Sequence, residues 1–429
     1  MTRQTDRWSQ LLSRRRFLRS LLVGGAAGAV LARSAAAQDI VLDTLMEQLQ
    51  GRNFGQGFDS ASRTILMPTA TLPTLDPSTA ETTETAVGRY ASIVARGGWP
   101  AVPSGKSLRL GNRHPYVPIL RRRLAISGDL DPNAGAGEVY DSYVEAAIRR
   151  FQARHGLTVD GVARAQTIRA INVPAEIRLA QLRTNVVRLR TLSGNLGPRF
   201  VVCNIPAAQL EAIENGVVVS RHVAVVGKPD RPSPDIQSKI IEVNFNPYWT
   251  VPASIVRKDL IPRMQTEPDY LTKNHIRIFD GHGDELQPQQ VNWFSNEATQ
   301  YRFKQDPGEL NSLGSIRINF PSKDGVYMHD TPSKNLFGED YRFHSSGCVR
   351  VQNVRELVNW LLSDTPGWSR AEIDAVIKSG AREDVRLAHP VPLYWVYVTA
   401  WATSDGVVQF RDDIYGRDGL AGSVNINRG

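Results

Sequence analysis

Cysteine is almost missing from this chain: 429 residues hold two, Cys203 and Cys348. So sparse a supply excludes a disulfide-stapled scaffold and any cysteine-rich zinc module. The histidines do not make up for it. His114, His155, His222, His275, His282, His344 and His389 show no metal-ligand spacing, and Asp280-Gly281-His282-Gly283-Asp284 reads as a turn within a polar insertion. A glycine loop of the phosphate-cradling kind is also lacking, so neither a metal nor another cofactor is expected. No apolar run reaches the roughly 20 residues that span a bilayer; the best, Ser20 to Leu31, is short and rich in Gly and Ala. Excess charge is small once located. The formal +8 includes seven arginines and one acid within residues 1–37, leaving +2 for the rest. So balanced a body gives no electrostatic case for nucleic acid.

What is present starts with those arginines. Ser13-Arg14-Arg15-Arg16-Phe17-Leu18-Arg19 precedes the apolar stretch, and Ala35-Ala36-Ala37 offers a cleavage site before Gln38. Residues 1–37 therefore read as a twin-arginine signal peptide, with delivery to the periplasm and no stable membrane insertion after cleavage. Residues 38–85 read as a flexible tether ending in the run Ser78 to Thr85, and residues 86–110 as a scaffold segment. From 111 to 173 the pattern is helical. Val117, Leu120 and Leu124 share one face, as do Val144, Ala147, Ile148 and Phe151, and Ala165 to Ile171 forms a further helix. A linking helix fills 174–198. Beyond it Val- and Ile-rich segments bounded by Gly and Pro predict strands at 199–205, 216–226, 239–244, 315–320, 325–329 and 394–400. A polar, partly helical insertion at 253–311 interrupts them, and insertions of that length are commonly functional.

Chemistry concentrates in the stretch from Tyr327-Met328-His329-Asp330 to Ser345-Ser346-Gly347-Cys348-Val349-Arg350. Cysteine reacts as a thiolate, and a nearby imidazole is the usual means of making one. Gly347 lets the backbone approach a substrate and could aim its N–H, with that of Cys348, at an oxyanion. Adjacent strand residues face opposite ways, so the Asp330 carboxylate is poorly placed to meet the His329 ring. Arg350, two residues past Cys348, projects to the same side and could bind a carboxylate. Tyr327, Trp249 and Phe343 are candidate cleft walls, with Ser345 and Ser346 beside them. Asn353 and Glu356 suggest a capping box before an amphipathic helix. Cys203 lies in an apolar strand and reads as a small hydrophobe, leaving Cys348 free.

These residues resemble the L,D-transpeptidase (YkuD-domain) family, whose signature is a histidine followed by a Ser-His-Gly-Cys element. Phe245-Asn246-Pro247-Tyr248-Trp249, Leu313-Gly314-Ser315-Ile316 and His329 through Lys334 resemble its large, lid-bearing Gram-negative members. Ser346 departs from the pattern by standing where many members carry histidine. The run Tyr140-Asp141 through Asp160-Gly161 resembles a small three-helix peptidoglycan-binding domain. The resemblance implies an α+β multi-domain protein: a mainly-β catalytic domain over 199–429 with a lid at 253–311, plus the helical domain at 111–173. It implies Cys348 as nucleophile, His329 as base, Gly347 at the oxyanion and the Asp330 carbonyl orienting His329. The implied partners are peptidoglycan stem peptides, a tetrapeptide donor and an amine-bearing acceptor, with carbapenems as inhibitors. Two other readings remain: the same site using water as an L,D-carboxypeptidase or amidase, and a non-catalytic wall-binding protein. A papain-like peptidase is disfavoured because there cysteine precedes histidine.

Overall fold

The computed structural model describes residues 71–419. The expected signal segment and most of the expected tether lie outside them. The tether also ends sooner than its composition suggests. Helix α1 (Pro77–Ala95) opens at an Asp76 cap with Pro77 in its first turn. Thr79, Ala80 and Thr83 are buried on it. Threonines that looked like linker sequence are satisfied locally: the Thr83 hydroxyl donates to the Thr79 carbonyl at 2.6 Å and accepts from the Ala402 N–H at 3.0 Å.

The helical region follows as α2 (Tyr116–Ile126), α3 (Ser142–Arg154) and α4 (Ala165–Ile171). The faces expected from spacing are those buried, with Val117, Leu120, Val144, Ala147, Ile148 and Phe151 fully enclosed. Asp141 caps α3 by accepting from the Val144 N–H at 3.1 Å. Helix α5 (Ala175–Leu192) then runs to the β region and packs with α1.

That region has β1 (Arg199–Asn204), β2 (Gln209–Glu214), β3 (Val217–Gly227), β4 (Ile236–Phe245), β5 (Trp249–Thr250), β6 (Ile276–Phe279), β7 (Glu285–Leu286), β8 (Arg302–Gln305), β9 (Ile316–Asn319), β10 (Met328–His329), β11 (Phe343–Ser345), β12 (Val349–Val351), β13 (Glu383–Val396), β14 (Ala400–Ala402) and β15 (Val408–Phe410). The main sheet runs β11-β3-β12-β10-β9-β4-β13-β1-β2, and β2 pairs back onto β3. Eight strands thereby close on themselves, with β11 added at β3. Strand β2 escaped the sequence reading because its acids, Glu211 and Glu214, obscure it. Glu211 is nonetheless buried, held by Arg221 at 3.0 Å.

The sheet wraps a core containing Val201, Val243, Ile318, Met328, Val349 and Trp395. Helix α6 (Val354–Leu361) covers this core with Val354, Leu357, Val358 and Leu361. Its start differs from expectation. Asn353 sits in the left-handed region at φ 51° and makes no side-chain cap, so there is no capping box. The insertion is more ordered than its composition suggests. Strands β5, β8, β6 and β7 form a separate antiparallel sheet over its own apolar cluster, which includes Val256, Leu271, Trp293 and Phe303. Asp280 ties the hairpin between β6 and β7, its carboxylate accepting from the His282 and Asp284 N–H groups, both at 2.9 Å. Among the described residues, no helix is long and apolar enough to cross a membrane.

Candidate active site

Strands β10 and β12 lie side by side and parallel, with Met328 opposite Val349 and His329 opposite Arg350. Met328 and Val349 point into the core with no exposure. Alternation therefore turns Tyr327, His329, Cys348 and Arg350 to the other face. The Val349 N–H donates to the Tyr327 carbonyl at 3.1 Å, which brings Cys348 alongside Tyr327. On the opposite flank β9 runs antiparallel with Arg317 directly across from His329. Its guanidinium lies 4.2 Å from the Tyr327 ring centroid. Sequence reading missed Arg317. The signal was present in Ile316-Arg317-Ile318, where a cation alternates with core isoleucines, but only the strand pairing reveals which neighbours it meets.

His329 is buried, and its Nδ1 is 2.5 Å from the Asp330 carbonyl oxygen. A carbonyl can only accept, so Nδ1 carries the proton and Nε2 keeps its lone pair. Burial, reinforced by the Arg350 charge, pushes the imidazole pKa down to about 3. His329 is thus a neutral, base-competent imidazole.

Asp330 serves the fold with its carboxylate and the site with its carbonyl. Its carboxylate accepts from the Ser315 N–H and hydroxyl, both at 2.9 Å, and from the Thr331 N–H at 2.8 Å, and it pairs with Lys334. Burial opposes its ionisation, but Lys334 and these donors hold the carboxyl below its ordinary range. A Cβ at Gly314 (φ 59°) would collide with this carboxylate, which accounts for the glycine in Leu313-Gly314-Ser315.

Cys348 is half-buried and free, and Cys203 is free and fully enclosed in β1. Burial raises the Cys348 pKa. Hydrogen bonds from the Tyr327 main chain and hydroxyl, together with the charges of Arg317 and Arg350, pull the other way without prevailing. At rest Cys348 is therefore a thiol and His329 a neutral imidazole. Burial alone drives the Cys203 thiol far higher.

The remaining expected residues divide. Trp249 donates from its indole N–H to the Tyr327 hydroxyl at 3.1 Å, joining the insertion to the site. Phe343 does not form a cleft wall: it is 4% exposed and packs in the core against Tyr341 and Tyr415. Its side chain falls on the inner face of β11. Gly347, at φ 110°, has its N–H directed to Ser345 Oγ at 3.2 Å, not left open for an oxyanion. Ser345 in turn donates to the Cys348 carbonyl at 2.5 Å. Ser346 is exposed and accepts from Arg231 at 3.0 Å, while Arg231 pairs with Asp259 of the insertion. Three residues thereby connect the cysteine loop to the insertion.

Residues 198–373 match the family model described as the L,D-transpeptidase catalytic domain, YkuD. Residues 113–171 match the model described as "Putative peptidoglycan binding domain". A Haemophilus influenzae protein described as "Putative L,D-transpeptidase" is 33% identical over 248 residues, covering 58% of this chain. The chain spans about half the length of that relative, 50%. Among solved structures, an L,D-transpeptidase from Stackebrandtia nassauensis is 14% identical with a TM-score of 0.27, covering 69% of this chain and 97% of that one. An L,D-transpeptidase from Mycobacterium smegmatis is 14% identical with a TM-score of 0.22, covering 46% and 58%.

Proposed function

We propose that this protein is an L,D-transpeptidase that cross-links peptidoglycan stem peptides through a thioester on Cys348. The observation that carries this reading is one sheet face holding the Cys348 thiol and a neutral His329 whose Nδ1 proton is fixed on the Asp330 carbonyl. His329 Nε2 takes the thiol proton as sulfur attacks the carbonyl of the L-centre of the donor's diaminopimelate residue. The C–N bond to terminal D-alanine breaks, and the imidazolium returns the proton to the departing amine. An acceptor-stem amine then attacks the thioester, restoring the thiol and forming the cross-link. No nucleotide is consumed, because the donor peptide bond is exchanged for another amide.

Arg317 and Arg350 stabilise sulfur as it gains negative charge, and Arg350 also suits a stem-peptide carboxylate. With the Gly347 N–H engaged by Ser345, the Cys348 N–H and these cations are the groups assigned to the oxyanion. The helical domain is assigned to peptidoglycan, and carbapenems are assigned as acylating inhibitors because their strained lactam mimics the donor carbonyl. The twin-arginine pattern supports export to the periplasm.

Incubation of purified protein with disaccharide-tetrapeptide, followed by mass analysis, tests the activity. Cross-linked dimer with D-alanine release is expected. Tripeptide alone would make water the acceptor and the protein an L,D-carboxypeptidase, and no reaction with either would sink both.

A further inference from the structure

Where the helical domain meets the barrel, the protein buries more positive charge than negative. Arg178 of α5, Arg342 just before β11 and Arg411 just after β15 are 4%, 4% and 7% exposed. They line one cavity of about 20 Å³ together with Asp340 and Asp412. Part of their donor capacity is used. Arg178 Nη1 donates to Gln181 at 2.8 Å. Arg342 donates to the Glu339 and Ala207 carbonyls at 2.6 and 3.2 Å. Arg411 Nη1 donates to the Arg154 and Phe410 carbonyls at 3.0 and 2.7 Å. Four buried nitrogens remain without a hydrogen-bond partner: Arg178 Nε and Nη2, Arg342 Nε and Arg411 Nε. Buried donors are normally satisfied, so four at one junction point to a ligand that accepts.

Charge and size narrow its nature. Three guanidinium groups face two carboxylates, and Asp340 is already engaged by the Thr158 N–H and hydroxyl at 2.5 and 2.6 Å. His155, which also lines the cavity, adds no cation, since burial and the Arg154 charge hold its pKa well below the ordinary value. Burial pushes Arg178 and Arg342 down to about 10; burial together with the Arg342 charge pushes Arg411 down to about 9. About 20 Å³ suits one species of water size and is too small for sulfate or phosphate. The site is also shaped by Gly156, because a Cβ there would stand 2.7 Å from Arg411 Nε.

We propose that this junction binds one small monovalent anion of the halide class, held by the unpartnered N–H groups of Arg178, Arg342 and Arg411. The anion joins the helical domain to the catalytic loop. Arg342 leads directly into β11, which pairs with β3 and ends at Ser345, the residue that accepts the Gly347 N–H.

The test uses the full mature chain. Crystals grown in sodium bromide should show an anomalous peak among the three guanidinium groups. Thermal unfolding in chloride or bromide, against gluconate at equal ionic strength, should show a saturable rise in Tm of about 2–4 °C. Arg178→Met should abolish that difference, while Arg386→Gln, at an exposed position, should retain it. A water-only site in bromide, equal Tm values in halide and gluconate, or a halide effect surviving in Arg178→Met would each overturn the proposal. Since the wild-type measurements stand alone, a variant that fails to fold does not shelter it.

Discussion

The chemistry of single residues here is governed by burial more than by pairing. Enclosure keeps His329 neutral and Cys348 protonated, so proton transfer accompanies attack in place of a preformed thiolate–imidazolium pair. The pH dependence follows from these directions. A thiol with a raised pKa gives up its proton only at higher pH, whereas His329 stays base-competent down to about pH 3. Because proton transfer to His329 accompanies attack, acylation kcat/KM should hold level through neutral pH and show no inflection near the ordinary histidine value of about 6.5. A clear break there would refute the assigned state of His329. Arg317→Gln removes a cation that favours the sulfur anion. It should lower acylation by about tenfold and move the ionisation of the Cys348 thiol to higher pH. A loss of rate with an unmoved thiol ionisation would mean that Arg317 is structural. Mass spectrometry with a carbapenem separates the two cysteines. Cys348→Ala should gain no adduct and Cys203→Ala should gain the full one, because Cys203 is enclosed in β1.

At the scale of elements, the insertion matters because it is folded and tied down. Asp259 from the insertion reaches Arg231, and Arg231 reaches Ser346 two residues before the cysteine. Asp259→Ala should loosen that link. If the insertion shields the thioester from water, products should shift from dimer toward tripeptide while carbapenem acylation persists. An unchanged product ratio would remove the shielding role. Loss of acylation would show that the insertion builds the donor side of the site. The pairing of Trp249 with Tyr327 gives that second outcome a structural route.

For the whole molecule, delivery and fold are separate problems. The arginine pattern lies ahead of the described residues, and its reading rests on receptor recognition that lysine does not satisfy. Replacing Arg14 and Arg15 together by Lys should leave the protein in the cytoplasm, as judged by fractionation. Periplasmic recovery of that double variant would point to the general secretory route. Once folded, α1 and α5 clamp the closing hairpin of β14 and β15. Tyr90 and Leu182 share a cluster with Ala400 and Phe410, so the N-terminal helices and the last strands complete one another.

The helices of residues 111–192 and the Gly347-Cys348 motif, as a candidate site, were legible because both depend on local sequence. Apolar residues three and four apart define a helix face, and a Gly-Cys motif has few structural uses. Partners brought together across the chain were not legible. Arg317 meets His329 only because β9 pairs with β10, and Phe343 turns inward only because β11 joins β3. Gly347 gives its N–H to Ser345 through the geometry of one turn. Glu211 became strand because Arg221 could neutralise it. The insertion holds its own sheet because Trp293 and Phe303, ten residues apart, share a core. Periodicity reports which face of an element is apolar; which faces meet is decided by long-range packing, and no local pattern encodes that.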